Sequence, residues 1–217
     1  MLTNYRVGFF GDLGSGKTLS IILLAIKMKK MYPALQIYAN MKGIKGGLVN
    51  GFLGDVISNF EKLDDTTPKL ILIDELYLYL NSRSSATSFN RILSEMLFQS
   101  RKKNISIFYT SPRSMAIDPN LRDITTTFIN PHYSKSKDVL TWNYLDSQSL
   151  LPTGKSIRWN KASAIFPFFS TMEYISIFDI LTMQSQETRK VKERTASAAK
   201  ERQEMDKVVK ESMKRKR

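Results

Sequence analysis

Eight consecutive residues, Gly11-Asp12-Leu13-Gly14-Ser15-Gly16-Lys17-Thr18, limit what this chain can become more than any other stretch. They complete the pattern G-x-x-x-x-G-K-[ST], and their flanks are those the pattern needs. Val7-Gly8-Phe9-Phe10 leads in as a buried strand, and an apolar helical pattern runs out from Lys17 to about Met31. A strand that turns through glycines into a helix N-terminus presents successive backbone N–H groups to an anion. Gly11, Gly14 and Gly16 give the loop its conformational freedom, and Asp12, Leu13 and Ser15 complete the phosphate cradle. Lys17 is placed to reach the β- and γ-phosphates of a nucleotide, and Thr18 to offer its hydroxyl to Mg²⁺.

A second constraint is Lys69-Leu70-Ile71-Leu72-Ile73-Asp74-Glu75. Four consecutive aliphatics read as a central parallel strand buried on both faces, and ligands gather at the C-terminal end of such a strand. Asp74 is therefore the candidate Mg²⁺ partner, and Glu75 the candidate general base for an attacking water. A solvated strand end is the plainer alternative for the pair.

Between and after these stretches, Leu35 to Asn40 reads as a strand, Gly54 to Leu63 as a short helix, and 64–68 as a turn. Phe89, Ile92, Leu93, Met96 and Leu97 follow helical spacing, and Gln99-Ser100-Arg101-Lys102 closes that helix with a basic end. Ile105 to Thr110 is a further strand, and Thr110 and Ser111 at its end are candidate γ-phosphate sensors. Residues 118–123 read as a turn, Ile124 to Ile129 as a strand, His132 as a loop residue, and 138–144 as a late edge strand. Tyr77 and Tyr79 read as packing residues, and Phe166 to Phe169 as aromatics closing the folded part. Strands alternating with helices predict an α/β fold with a mostly parallel sheet and helices on both faces.

Charge bears on the partner. The chain carries 33 Lys and Arg against 20 Asp and Glu, a formal net charge of +13, which points to a polyanion, either nucleic acid or an anionic membrane surface. With no cysteine and one histidine, His132, thiolate and histidine metal sites are excluded. The N-terminal residues lack the order of a signal peptide, and 164–183 is interrupted by Glu173 and Asp179, so neither a leader nor a transmembrane segment is expected. From Met183 to Arg217 there are twelve Lys or Arg and six Asp or Glu, with Asp206/Lys210 and Glu211/Arg215 at helical spacing. The expected organisation is an ATPase domain over 1–182 and a basic helical tail over 183–217.

Taken together, Gly11 to Thr18, Tyr38 to Met41, Ile73-Asp74-Glu75, Leu80 to Arg83, Gln99 to Lys102, Phe108 to Ser111 and Asp118 to Arg122 resemble a known family over about residues 4 to 130. The chain is similar to the P-loop ATPases of filamentous-phage assembly and the zonula-occludens-toxin-like proteins, a branch of the FtsK/HerA superfamily that also holds viral genome-packaging ATPases. That resemblance implies a RecA-like P-loop NTPase fold, ATP with Mg²⁺, and double-stranded DNA as the load. It also implies a homo-oligomeric ring, usually a hexamer, in which an arginine of one subunit completes the neighbour's site. Arg83, Arg101, Arg113 and Arg122 are candidates for it, Arg101 first and Arg122 second. The family usually has Gln where this chain has Ser111, and its phage-assembly members carry a transmembrane segment that is not found here. The expected function is thus a DNA-translocating ATPase of the genome-packaging kind, acting in the host cytoplasm, with a place on the virion or at the membrane periphery left open. Two alternatives remain open: a virion-assembly ATPase working with a virion or membrane protein, and a nucleotide-gated binding protein with little turnover.

Overall fold

Eight strands form one sheet in the order β3-β2-β4-β5-β1-β6-β7-β8. The strands are β1 (Arg6–Phe10), β2 (Gln36–Ala39), β3 (Gly51–Phe52), β4 (Lys69–Ile73), β5 (Ile105–Ser111), β6 (Thr127–Ser134), β7 (Val139–Leu145) and β8 (Pro152–Asn160). Every pair from β3 to β6 is parallel, and only β6-β7 and β7-β8 are antiparallel. This computed structural model describes residues 4–41, 43–45, 47–78, 95–114 and 117–170. All of them lie in a unit spanning Met1–Ile175.

The parallel part of the sheet holds its most buried strands. All five residues of β4 and all seven of β5 are buried, as strands covered on both faces must be. Strand β5 lies between β1 and β4, so the loop after β1 and the acids after β4 emerge two strands apart on one edge.

Helix α1 (Lys17–Met31) buries Leu19, Ile21, Ile22, Leu23, Ala25 and Met28. Tyr32 ends it, its N–H donating to Met28 O, just before Pro33, a residue whose predecessor avoids helical backbone. On the α1 face, Phe9 meets Trp142 edge-on, and Trp142 Nε1 donates to Ser20 Oγ at 2.9 Å. On the opposite face, Tyr109 donates to or accepts from Thr125 Oγ1 at 2.7 Å, just beyond helix α3 (Pro119–Ile124). Helix α2 (Leu53–Ser58) buries Leu53, Val56 and Ile57.

Three expectations are corrected, and two strands had not been expected. Residues 119–124 form helix α3 rather than a turn running into a strand. Asp118 caps it by accepting from Asn120 N at 2.9 Å, and Pro119 supplies a pre-set first helical position. His132 belongs to no loop: β6 runs on past its last β1 pair at Ile129 and pairs with β7 as far as Ser134. Strand β7 is interior, because β8 pairs on its far side. Strand β8 itself was not anticipated, since Pro152, Gly154 and its polar residues obscure the two-residue period. The short β3 was missed as well.

The aromatics at the end of the described chain do pack on the domain. In the turn Ala162–Phe168 and just after it, Phe169 is buried and Phe166 meets Tyr133 edge-on, though Phe166 and Phe168 keep an exposed side. Among the described residues, no helix is long and apolar enough to cross a membrane. The tail 183–217, Leu80 to Arg83, Tyr79, and Phe89, Ile92 and Leu93 lie outside the described residues.

Candidate nucleotide site

The C-terminal ends of β1, β2, β4 and β5 converge on one edge of the sheet, the edge at which open α/β sheets bind ligands. The glycine loop opens there. Gly14 and Gly16 have φ of +77° and +93°, backbone that a side chain resists. At Gly16 space forbids one too: a Cβ would lie 2.9 Å from Leu140 Cδ1 and 3.0 Å from Tyr133 Cβ. The start of α1 is thus seated directly on β6 and β7. Leu13 is exposed at the loop tip, and Ser15 N donates to Asp12 O. Ser15 Oγ is buried without a hydrogen-bond partner inside the loop, which fits a cradle shaped for an anion.

Lys17 Nζ donates to the carbonyls of Gly11 and Asp12, each at 2.9 Å, so the ammonium sits across the mouth of the loop. Partial burial lowers its pKa, and the carboxylates of Asp74, Glu75 and Asp12 work against that shift. Thr18 Oγ1 donates to Asp74 at 3.0 Å (Oδ2) and 3.2 Å (Oδ1). One strand, β5, separates the parents of these side chains, and the side chains close the gap.

Asp74 and Glu75 are held from both sides. From β5, the fully buried Thr110 Oγ1 donates to Asp74 Oδ1 at 2.6 Å and accepts from Glu75 N at 2.8 Å. From the end of β2, Asn40 Nδ2 donates to Asp74 O at 2.7 Å, and Asn40 Oδ1 accepts from Asp74 N at 2.8 Å. Asn40 N also continues the ladder to Leu72 O. The Asn40 amide thus extends β2 after its backbone has left the sheet. So gripped, Glu75 takes a left-handed φ of +53°, and its Oε2 accepts from Tyr77 OH at 3.1 Å. Burial pushes the Asp74 carboxyl above the ordinary range; hydrogen bonds from Thr110 and Thr18 oppose this in part.

An Mg²⁺ ion suits this donor set. The Thr18 hydroxyl and the Asp74 carboxylate lie side by side, both hard oxygens, and a buried carboxylate gains from a cation. Among the described residues there is no group of three or more acidic or histidine ligands. One hydroxyl and one carboxylate side by side are the kind of hard-oxygen pair that suits an ion keeping most of its waters.

The other candidates fall elsewhere. Ser111 Oγ, fully buried, donates to Arg113 O at 2.9 Å, and Arg113 is exposed beyond that same strand end. Arg101 is exposed before the start of β5, on the sheet edge opposite the glycine loop. Arg122 lies half-buried on α3, close enough to Tyr109 to oppose the upward shift that burial gives that phenol. Arg83 is outside the described residues. Sequence reasoning gave no role to Asn40 and assigned Tyr77 to packing.

The strand order and the glycine loop define a P-loop nucleotide-hydrolase fold. The chain belongs to the ATPase family associated with various cellular activities (AAA), whose model matches residues 7–132, and it is an ATP-binding, ATP-hydrolysing enzyme of P-loop type. Comparison with curated proteins finds no match. Among solved structures, the N-terminal domain of zonular occludens toxin from Neisseria meningitidis is similar at 16% identity and a TM-score of 0.56, covering 76% of this chain and 99% of that one. B204, the DNA-packaging ATPase from Sulfolobus turreted icosahedral virus, is similar at 15% identity and a TM-score of 0.51, covering 70% and 97%. These likenesses are of fold, and they are to the two kinds of protein that the sequence motifs resemble.

Proposed function

We propose that the chain is an Mg²⁺-dependent ATPase motor that assembles into a ring and moves double-stranded DNA, in the manner of a viral genome-packaging enzyme. The observation that carries the catalytic part is the two-sided grip on Asp74 and Glu75 beside Thr18 and Lys17. In this reading the loop amides and Lys17 hold the β- and γ-phosphates. Thr18 and Asp74 hold the metal, which when bound neutralises charge on the phosphate oxygens. Glu75 accepts a proton from the attacking water, with its Oε2 held by the Tyr77 hydroxyl at 3.1 Å.

The DNA part is supported by the net charge of +13 and the fold shared with the packaging ATPase B204. Arg101 is the first candidate for the trans arginine, because its sheet edge faces away from its own loop and it can complete only a neighbour's site. A trans arginine contributes about 10³ to 10⁵ in rate. The likeness to the zonular occludens toxin domain favours a second reading, a virion-assembly ATPase acting at a membrane.

The test is ATP hydrolysis with and without linear double-stranded DNA across a salt series. Stimulation that fades as salt rises supports the DNA motor. Turnover indifferent to DNA but raised by anionic liposomes supports the membrane reading. E75Q should bind ATP and lose turnover; unchanged turnover would remove Glu75 as the base.

A further inference from the structure

The antiparallel extension β6-β7-β8 has two faces of different chemistry. Directly paired residues share a face, so the register gives them in rows. Tyr133-Leu140-Trp159 and Pro131-Trp142-Ile157 form one face, apolar and turned to α1, where Lys27 Nζ lies 3.9 Å over the Trp159 ring. The alternate rows form the other face: Phe128-Leu145-Pro152, whose Phe128 is buried, and then Asn130-Asn143-Ser156, His132-Thr141-Arg158 and Ser134-Val139-Asn160, whose nine residues are all exposed or half-exposed.

Those nine positions hold amides, hydroxyls, one histidine, one arginine and one valine, and no carboxylate. Lys135 and Lys137 at the β6-β7 turn and Lys161 after β8 add exposed charge at the same end. The extension's own acids are engaged elsewhere. Asp138 accepts from Tyr133 OH, Ser163 N and Ser163 Oγ, and Asp146 accepts from Gln148 N, Ser149 N and Ser149 Oγ.

A merely solvated face usually mixes both signs of charge. A protein-docking face needs an apolar or aromatic anchor; Val139 is the one apolar residue among these nine, and in the remaining row the Phe128 ring is already stacked on Phe10 inside the fold. Cations together with Ser, Thr and Asn donors are instead the side chains that hold phosphodiester backbones.

We infer that the His132-Thr141-Arg158 face, with Lys135 and Lys137 at its tip, is the surface along which the enzyme holds the backbone of double-stranded DNA. This rests on the DNA-motor reading and adds the place of contact. The place has a mechanical meaning. Strand β6 pairs with β1, whose end is the glycine loop, and Gly16 is seated on Tyr133 and Leu140, on the reverse side of the same two strands. A load on one face of the hairpin therefore bears on the phosphate loop from the other.

The experiment measures binding of a fluorescent 30-base-pair duplex by the full chain across a salt series, together with basal and DNA-stimulated ATPase, for wild type, K135A/K137A/R158A and R158E. Each lost phosphate contact lowers the slope of log K against log salt by about 1. The triple variant should therefore bind more weakly, with a slope shallower by about 2 to 3, and lose stimulation while its basal ATPase is unchanged. R158E should weaken binding in the same direction. Wild-type binding matched in slope and affinity by both variants would overturn this inference and leave the DNA-motor reading standing. A wild type that binds no duplex at all would overturn both. Variants that keep duplex binding but change the oligomeric state would reassign the face to contact between copies of the chain.

Discussion

Replacing Asn40 tests whether the grip on the Asp74-Glu75 pair matters to turnover. Its amide makes two hydrogen bonds, 2.7 and 2.8 Å long, to the backbone of Asp74, and the residue is 4% exposed. In N40A both bonds go, and the Asp74 N–H and C=O lose that partner in a buried setting. At about 1 to 2 kcal/mol for each group left in this way, the expected loss of stability is about 2 to 4 kcal/mol. For a chain of this size that is a melting temperature lower by about 5 to 15 °C.

The phosphate loop is untouched by the change, so the KM for ATP should stay within about threefold, while kcat falls by about 10- to 100-fold as the pair loses its orientation. N40D sharpens the test. It keeps the acceptor for Asp74 N but sets a carboxylate oxygen against Asp74 O and adds charge beside a buried carboxylate, so it should be worse than N40A despite its shape. Thermal unfolding and steady-state hydrolysis read both effects. N40A with wild-type melting and wild-type kcat would refute the reasoning, as would an N40D more active than N40A.

Other substitutions have equally definite outcomes. Because burial holds the Asp74 carboxyl above its ordinary value, the folded chain binds that proton more tightly than the unfolded chain; the stability this gives is present below about pH 3.9 and lost as pH rises through the raised value. D74N should therefore be more stable than wild type to urea at pH 8 without nucleotide, with the gap narrowing towards pH 4, and should have no turnover; lower stability at pH 8 would contradict the burial argument. G16A meets both a left-handed φ and a clash with Leu140 and Tyr133, so it should cost about 2 kcal/mol or more and abolish ATP binding. G14A meets open space and should cost only about 1 to 2 kcal/mol; equal losses by calorimetry would show that the seat on β6 and β7 is unimportant.

What could be read from the sequence, and what could not, divides along a physical line. The glycine loop and the aliphatic run of β4 were legible because their signals are local: a backbone that needs glycines, and a strand that needs apolar residues on both faces. Helix α3 was written locally too, in Asp118-Pro119, but its six residues are too few to show a period. Asn40 is different. Its role depends on β2 lying beside β4, a lateral neighbour relation between residues 34 positions apart, and no pattern within either segment announces it. The same holds for Thr110, proposed as a phosphate sensor: only the strand order reveals that its hydroxyl is shared between Asp74 and Glu75. Strand β8 escaped because eight of its nine residues are exposed, and an apolar alternation shows only at Ile157 and Trp159, near its end.

That edge has a consequence for how copies of the chain can meet. A sheet with an open, flat border invites another strand to add to it and grow without limit. Here one border is β3, only two residues long, and the other is β8, which begins at Pro152, carries Lys155 and Arg158, and lies beside a register shift between Asn143 and Leu145. Both borders are thus blunted against the addition of another strand, and any contact between copies would be made by side chains rather than by a shared backbone ladder.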